Sequence, residues 1–375
     1  TNVKTSNLAT GLSDKVGQSK NIIINGAMDV AQRATSSTAE GYVTVDRWTY
    51  AVVGNDEAVT TSQHDLTSSD TGPWAKGFRK SWHIQNGNQT GGAGAADYIE
   101  LCQSIEAQNI ANSGWDYTSS SSYITLSFWV KSSVAQNFYG YLRTVDGTGR
   151  QYRFETTSLT ADTWKKVTVT VPGDSNITVD NNNETGLMIW IAPFYGTNYT
   201  DNGNALSTWV NYSSSTIAKD YTSTWWTTDD ATFEITGVQL EVGDTATEFE
   251  HRSYEEELQK CYRYCQKYDT GGDTYRFVCQ GNVDNDGNNL AMMLSFITPF
   301  RSKPTSMTTT GTAGDYAVRR DSSKDCTSVP VMSASVSPFT TGITFTSSSH
   351  GWTTGQSAKA FLKASGSYLI FSAEL

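Results

Sequence analysis

From residue 21 to residue 242 the chain repeats one pattern: short stretches in which apolar or aromatic residues alternate with polar ones, closed by Gly, Asn, Asp or Ser. Period-two alternation sends successive side chains to opposite faces, as a half-buried strand requires and a helix does not. VTVDRWTYAVV (43–53), ADYIELCQSIE (96–106), SSYITLSFWVKSS (121–133), NFYGYLRTV (137–145) and QYRFETTSL (151–159) carry it. TWKKVTVTVP (163–172), TGLMIWIAPF (185–194) and ATFEITGVQLEV (231–242) follow, and NIIINGAM (21–28) reads as an opening strand ahead of an Asn-Gly turn. In TWKKVTVTVP, Trp164, Val167, Val169 and Val171 mark the buried side. About eight strands or more, with no helical period between them, predict a β-sandwich of the jelly-roll type with generous loops.

One segment breaks the pattern. In SYEEELQKCYRYCQKY (253–268), Tyr254, Leu258, Cys261, Cys265 and Tyr268 are spaced 4, 3, 4, 3. Glu255, Glu256 and Glu257 suit the positive end of a helix dipole, and Lys260, Arg263 and Lys267 suit its negative end. Ser253 with Glu256 matches a capping box. The spacing predicts a short amphipathic helix, lying on its own sandwich or forming a seam between copies of the chain. Strand patterns then return in TYRFVCQGNV (274–283), NLAMMLSFITPF (289–300), GITFTS (342–347) and GSYLIFSAEL (366–375). The expected fold class is all-β: a jelly-roll sandwich (21–250), a connecting helix (251–270) and a smaller C-terminal β domain (271–375). Residues 1–20 are polar and could not bury enough surface to fold alone, so they are expected to attach to a partner. They contain no apolar run of the kind a secretory signal needs.

The net charge of −11 argues against nucleic acid or anionic lipid as charge-attracted partners. No apolar stretch approaches the roughly 18–20 residues that span a bilayer. The 5 Cys (Cys102, Cys261, Cys265, Cys279, Cys326) form no CxxC pair and read as buried thiols. Asp46, Asp97, Glu100, Glu106, Asp162, Asp229, Asp230 and Glu234 are candidate acids, but none stands in a motif. His64, His83, His251 and His350 accompany no G-x-S-x-G elbow. No catalytic residue is therefore expected, and NVDNDGNN (282–289) reads as a hairpin turn and not a cation loop. The segment 195–230 interleaves aromatic rings with Asn, Asp and Ser. Rings that stack on sugar C–H groups beside amide and carboxylate partners make Tyr195, Tyr199, Trp209, Tyr212, Trp225 and Trp226 candidate glycan contacts, although Trp209 and one of the adjacent pair could be core. Trp352, with His350, Tyr316, Arg319 and Arg320, forms a second candidate group in the last domain.

NIIINGAMDVAQRATS followed by VDRWTY, and GVQLEVGDTATEFEHRSYEEELQKCYRY, resemble the opening and closing motifs of a domain found in bacteriophage tail-fibre and receptor-binding proteins. FITPFRSKP (296–304) and YLIFSAEL (368–375) look like the terminal domain that follows it. SFWVKSS, DTWKKVTVTV and the closing GVQLE are similar in order to carbohydrate-binding modules of the jelly-roll type. The resemblance implies a virion fibre or tail-tip protein that binds host polysaccharide or lipopolysaccharide without cleaving it. It implies a homotrimer, with Tyr254, Leu258, Cys261, Cys265 and Tyr268 at the trimer interface and residues 1–20 docked on another virion protein. Related sugar-binding jelly rolls often hold a structural calcium in the region of Asn25 and Glu241, but both residues read as caps of strand ends, and no metal or cofactor is expected. A structural adaptor or capsid decoration protein, a polysaccharide depolymerase, and a module of a larger cellular enzyme remain alternatives. Only about twenty residues precede the sandwich, so a long shaft is not part of this sequence.

Overall fold

The computed structural model describes residues 20–203, 205–284, 287–348 and 350–375. The expected attachment segment therefore lies outside the described residues, apart from Lys20. The chain divides into two compact units: the first runs to Asp29 and from Thr35 to Ser253, and the second joins Val30–Ala34 to Tyr254–Leu375.

Among its described residues the first unit contains twelve strands: β1 (Ser36–Ser37), β2 (Thr49–Val53), β3 (Thr60–Asp65), β4 (Lys80–Gln85), β5 (Tyr98–Glu106), β6 (Tyr123–Ser132), β7 (Tyr139–Thr144), β8 (Arg150–Glu155), β9 (Lys165–Pro172), β10 (Thr185–Tyr195), β11 (Trp209–Asn211) and β12 (Thr232–Val242). They form two six-stranded sheets, β1-β3-β4-β12-β6-β9 and β11-β8-β7-β10-β5-β2. Every strand-to-strand pairing among the described residues is antiparallel, and the chain crosses repeatedly from one sheet to the other, which gives the jelly roll. The inward side chains are the ones that alternation marks. Val167, Val169 and Val171 of β9 are buried, as are Leu187, Ile189 and Ile191 of β10. Between the sheets lie large rings, including Trp48, Trp82, Phe128, Phe138 and Phe233.

The opening motif departs from expectation, because residues 21–28 are not a strand. Asn25 (φ 57°) and Met28 (φ 63°) occupy left-handed backbone, which breaks any ladder. The segment instead runs beside β12, with Ile22 N donating to Leu240 O at 2.9 Å and Val238 N to Gly26 O at 2.9 Å. A Cβ on Gly26 would sit 2.1 Å from Val238 O, so only glycine fits there. The closing motif holds the same segment. Glu250 accepts from Lys20 N (3.0 Å) and Asn21 N (2.7 Å), and the Arg252 guanidinium donates to the carbonyls of Asn21 and Ile23. The two motifs that are distant in sequence thus close one another.

Among its described residues the second unit has ten strands: β13 (Cys265–Asp269), β14 (Arg276–Val283), β15 (Asn289–Ser295), β16 (Ser306–Thr309), β17 (Tyr316–Arg319), β18 (Ser323–Asp325), β19 (Val331–Val336), β20 (Thr340–Thr346), β21 (Ser357–Leu362) and β22 (Tyr368–Ser372). A three-stranded sheet (β13-β22-β16) and a seven-stranded sheet (β18-β17-β21-β14-β15-β20-β19) enclose Leu290, Met292, Phe345, Leu369 and Phe371. The last strand, β22, is the middle strand of its sheet.

The helix is shorter than the spacing predicts. It covers Tyr254–Tyr262, and Cys265 already begins β13, whose five residues pair with β22. Strand pairing has overridden helical propensity here, so Cys265 and Tyr268 do not share a helix face with Leu258. Cys261 and Cys265 are fully buried. The residues proposed for a trimer seam are therefore split: Tyr254, Leu258 and Tyr268 line a groove of about 520 Å³, and the two cysteines belong to the interior.

Candidate functional site

Four of the seven aromatic residues expected to contact ligand are buried, and this corrects the sequence reading. Trp225 and Trp226 are 0% exposed, with their ring N–H groups donating to Thr232 O (3.0 Å) and Gly92 O (2.8 Å). Adjacent residues on a strand would face opposite ways, but Thr224–Thr227 is a helical turn that carries both rings inward. Trp209 donates to Pro172 O at 2.7 Å and packs on Tyr152, while Tyr195 is 2% exposed. Tyr199 and Tyr212 stay partly accessible in the first unit, as does Trp352 in the second. Trp352 stacks on the buried His350 ring at 4.9 Å, and Tyr316 is a core residue.

Residues 217–221 pack on the outer face of the β11-β8-β7-β10-β5-β2 sheet. Tyr221 fixes them there: its hydroxyl accepts from Tyr139 N (3.0 Å) and donates to Ala192 O (3.0 Å). Ile217 and Ala218 then cover Tyr139, Tyr141 and Tyr195. Beyond this cover the face presents Trp190. On β10 it stands opposite Tyr141 of β7 on one side and Cys102 of β5 on the other. The Tyr141 and Trp190 rings are nearly parallel (10°), with centroids 5.9 Å apart. Trp190 is half-buried, and its ring Nε1 is enclosed without a hydrogen-bond partner among the described residues. Arg143 lies two residues beyond Tyr141, with its guanidinium 3.7 Å over the Tyr212 ring. On the other flank, the Tyr195 hydroxyl donates to Glu100 Oε2 at 2.5 Å, and Tyr98 meets Tyr199 edge-on at 5.3 Å.

This face combines a stacking surface, a cation and a carboxyl group. Burial pushes the Glu100 carboxyl up to about 7, against the pull of the Tyr195 hydrogen bond. No second carboxylate charge contributes to that shift. The shift carries a pH signature. Glu100 titrates near 4.5 when unfolded and near 7 when folded, so between these values the folded state holds more protons. Stability from this group is complete below pH 4.5 and lost as pH rises to about 7. Glu100→Gln keeps an acceptor for Tyr195 and has no charge to bury. The variant is expected to be more stable at pH 8 by about 2 kcal/mol, discounted for partial exposure, and equal at pH 4. Urea unfolding at both pH values checks this, and a gain of the same size at pH 4 would refute the titration account.

Trp190, Tyr141, Arg143 and Tyr98 were not singled out from the sequence. The signal was present: in TGLMIWIAPF, Met188 and Trp190 fall out of phase with the core set Leu187, Ile189 and Ile191. In NFYGYLRT, Tyr139, Tyr141 and Arg143 alternate with Gly140 and Leu142 in the same way.

A second titratable cluster lies on the outer face of the other sheet. Lys131 Nζ bridges Glu234 Oε1 (2.9 Å) and Asp70 Oδ1 (3.1 Å). Burial would raise the Glu234 pKa, but hydrogen bonds from His64, Ser81 and Lys131 hold it at about 2. Asp70 is held at about 2 against burial by Trp164, Thr67 and Lys131. Two carboxylates this acidic are poor proton donors near neutral pH. Glu241, named for calcium, accepts from Gln239 Nε2 (2.8 Å), Thr247 N (2.8 Å) and Thr247 Oγ1 (2.7 Å), and Asn25 Nδ2 donates to Asp46 O at 2.9 Å. Among the described residues no group of three His, Cys, Asp or Glu side chains could hold a metal ion.

No family model and no curated protein matches the sequence. Among solved structures, the chain is similar to the enzymatically active domain of tailspike protein 4 of bacteriophage CBA120, with 12% identity and a TM-score of 0.32 over 60% of this chain and 21% of that one. The match thus spans about a fifth of that domain. A family 4 carbohydrate-binding module is similar at 12% identity and a TM-score of 0.30, over 58% of this chain and 98% of the module. The family 11 module of Clostridium thermocellum, in complex with a β-1,3-1,4-mixed-linked tetrasaccharide, gives 12% identity and 0.26 over 58% and 98%.

Proposed function

We propose that the Trp190 face binds a saccharide without cleaving it, and that the chain is a phage virion fibre or tail protein recognising a bacterial surface glycan. One observation carries the binding assignment. A half-buried indole stands at the centre of a sheet beside a parallel tyrosine, with Arg143 and Glu100 on its two flanks. A pyranose offers C–H groups to such a ring and hydroxyls to the flanking donors and acceptors. Binding without hydrolysis is favoured because Glu234 and Asp70, the carboxylates that share Lys131, are both held at about 2 and make poor general acids, whereas glycoside cleavage needs one carboxyl group that can donate a proton. The virion role and a three-fold assembly rest on the resemblance of the junction motifs.

Trp190→Ala tests the site. Losing a central aromatic anchor is expected to weaken glycan binding about thirtyfold, roughly 2 kcal/mol, with the fold retained. Affinity electrophoresis through gels loaded with host surface polysaccharides reads the change. Unaltered retardation would remove Trp190 from the site, and release of reducing ends by the intact protein would move the assignment to a depolymerase. Light scattering tests the assembly, which should have about three times the mass of one chain.

A further inference from the structure

We propose that the second unit carries a separate binding site for an anionic saccharide, one bearing a carboxylate or phosphate, on the β17-β21-β14 part of its seven-stranded sheet. A concave region of about 780 Å³ lies there, within the usual size of ligand sites. Its residues come from neighbouring strands in register. Arg319 of β17 stands opposite Lys359 of β21, and Lys359 stands opposite Gln280 of β14. Two residues along β21 in one direction, Ser357 pairs with Asn282; two in the other, Phe361 pairs with Phe277. Residues directly opposite or two apart share a sheet face, so cations, amides, a hydroxyl and a ring converge on one surface.

The charges point to the ligand. Like charges directly opposite one another destabilise a sheet. Yet Arg319 and Lys359 are exposed side by side, and neither has an ion-pair partner among the described residues. Arg320, on the same rim, has only a 3.9 Å contact with the exposed Asp321. All this occurs in a chain of net charge −11. An oxyanion placed between Arg319 and Lys359 would relieve their repulsion, and guanidinium groups suit carboxylate and phosphate alike. Gln280, Asn282 and Ser357 supply hydroxyl partners, and the Phe361–Phe277 pair (6.0 Å) supplies an apolar surface for a sugar ring. The saccharide part of this assignment rests on the glycan-binding reading; the anionic part rests on the cations alone.

The test uses the full chain and calorimetric titration with four probes: an oligogalacturonide, its methyl ester, a phosphate-bearing oligosaccharide, and a single-stranded oligonucleotide. The intact protein should bind one or both acidic sugars and not the ester, more weakly as salt rises. The stronger of the two identifies carboxylate or phosphate. The double variant Arg319→Gln, Lys359→Gln should lose at least tenfold in affinity. Removing two repelling charges leaves the fold intact, which thermal unfolding confirms. The proposal is overturned if neither acidic sugar binds, if the ester binds equally, or if the double variant binds normally. It is also overturned if the oligonucleotide binds as tightly as the sugars, since the surface is then a general polyanion patch. Neutral host glycan read by Trp190→Ala reports on the sandwich face separately, so either site can fail without the other.

Discussion

Lys131→Met is expected to cost the first unit about 3–5 kcal/mol at pH 7.5, among the largest single-residue losses in the chain. The methionine stem fills the same space, so the effect is electrostatic. Glu234 and Asp70 share the Lys131 ammonium, and the three side chains are 4%, 14% and 15% exposed. Removing the cation leaves two carboxylates facing each other out of water. Ser81 still donates to Glu234 at 2.6 Å and Trp164 to Asp70 at 3.0 Å, but neither neutralises charge. The sign with pH follows from the lowered carboxylates. In the wild type their stabilisation is complete above their unfolded values, near 4, and is lost as pH falls towards 2. In the variant both can accept a proton at much higher pH, so its deficit must shrink on acidification. His64 adds to this, because its hydrogen bond to Glu234 raises its pKa and a protonated ring 3.3 Å away partly replaces the lysine. His83, opposite Glu234 on β4, is pushed down by burial and contributes less. Urea unfolding at pH 7.5 and pH 4.5 measures both terms. A deficit of equal size at the two values would mean that packing, not charge, is what Lys131 supplies.

Much of the architecture was legible in the sequence because burial in a sandwich obeys a period of two. The core sets of β9 and β10 follow directly from alternation in TWKKVTVTVP and TGLMIWIAPF. What alternation could not reveal was backbone that takes its hydrogen bonds from side chains. NIII looks like a strand, but Asn21, Glu250 and Arg252 satisfy its peptide groups, and Asn25 turns left-handed. Nor could helical spacing show that Cys265–Asp269 has a strand partner about a hundred residues later. The site was misplaced for a related reason. An aromatic-rich loop reads as a binding loop whether its rings face solvent or the sheet beneath. Tyr221 and Ile217 face the sheet, and the ring left open, Trp190, lies in a stretch that reads as core. The out-of-phase residue of a strongly apolar strand carries the information there. A tryptophan in that phase must be covered by something, whether chain, partner or ligand.

Trp226 provides the converse test. Trp226→Ala is expected to destabilise the first unit by about 3–5 kcal/mol, the range for truncating a buried tryptophan. The ring is 0% exposed, stands 5.0 Å from the Phe194 ring and donates to Gly92 O at 2.8 Å. Its removal therefore opens a cavity and also leaves the partly buried Gly92 carbonyl without its donor. Trp226→Phe restores most of the volume but not the N–H, and should lose only about 1–2 kcal/mol. For a unit of this size, the alanine change corresponds to a fall in Tm of roughly 6–20 °C. Trp190→Ala should shift Tm less, because that ring is only partly buried. Binding per folded molecule should show the opposite order, with Trp226→Ala near wild type at temperatures where it remains folded and Trp190→Ala impaired. The crossing of the two rankings separates a ring that builds the sheet from one that the sheet presents. If Trp226→Ala kept its Tm and lost glycan binding, the loop and not the Trp190 face would be the recognition surface.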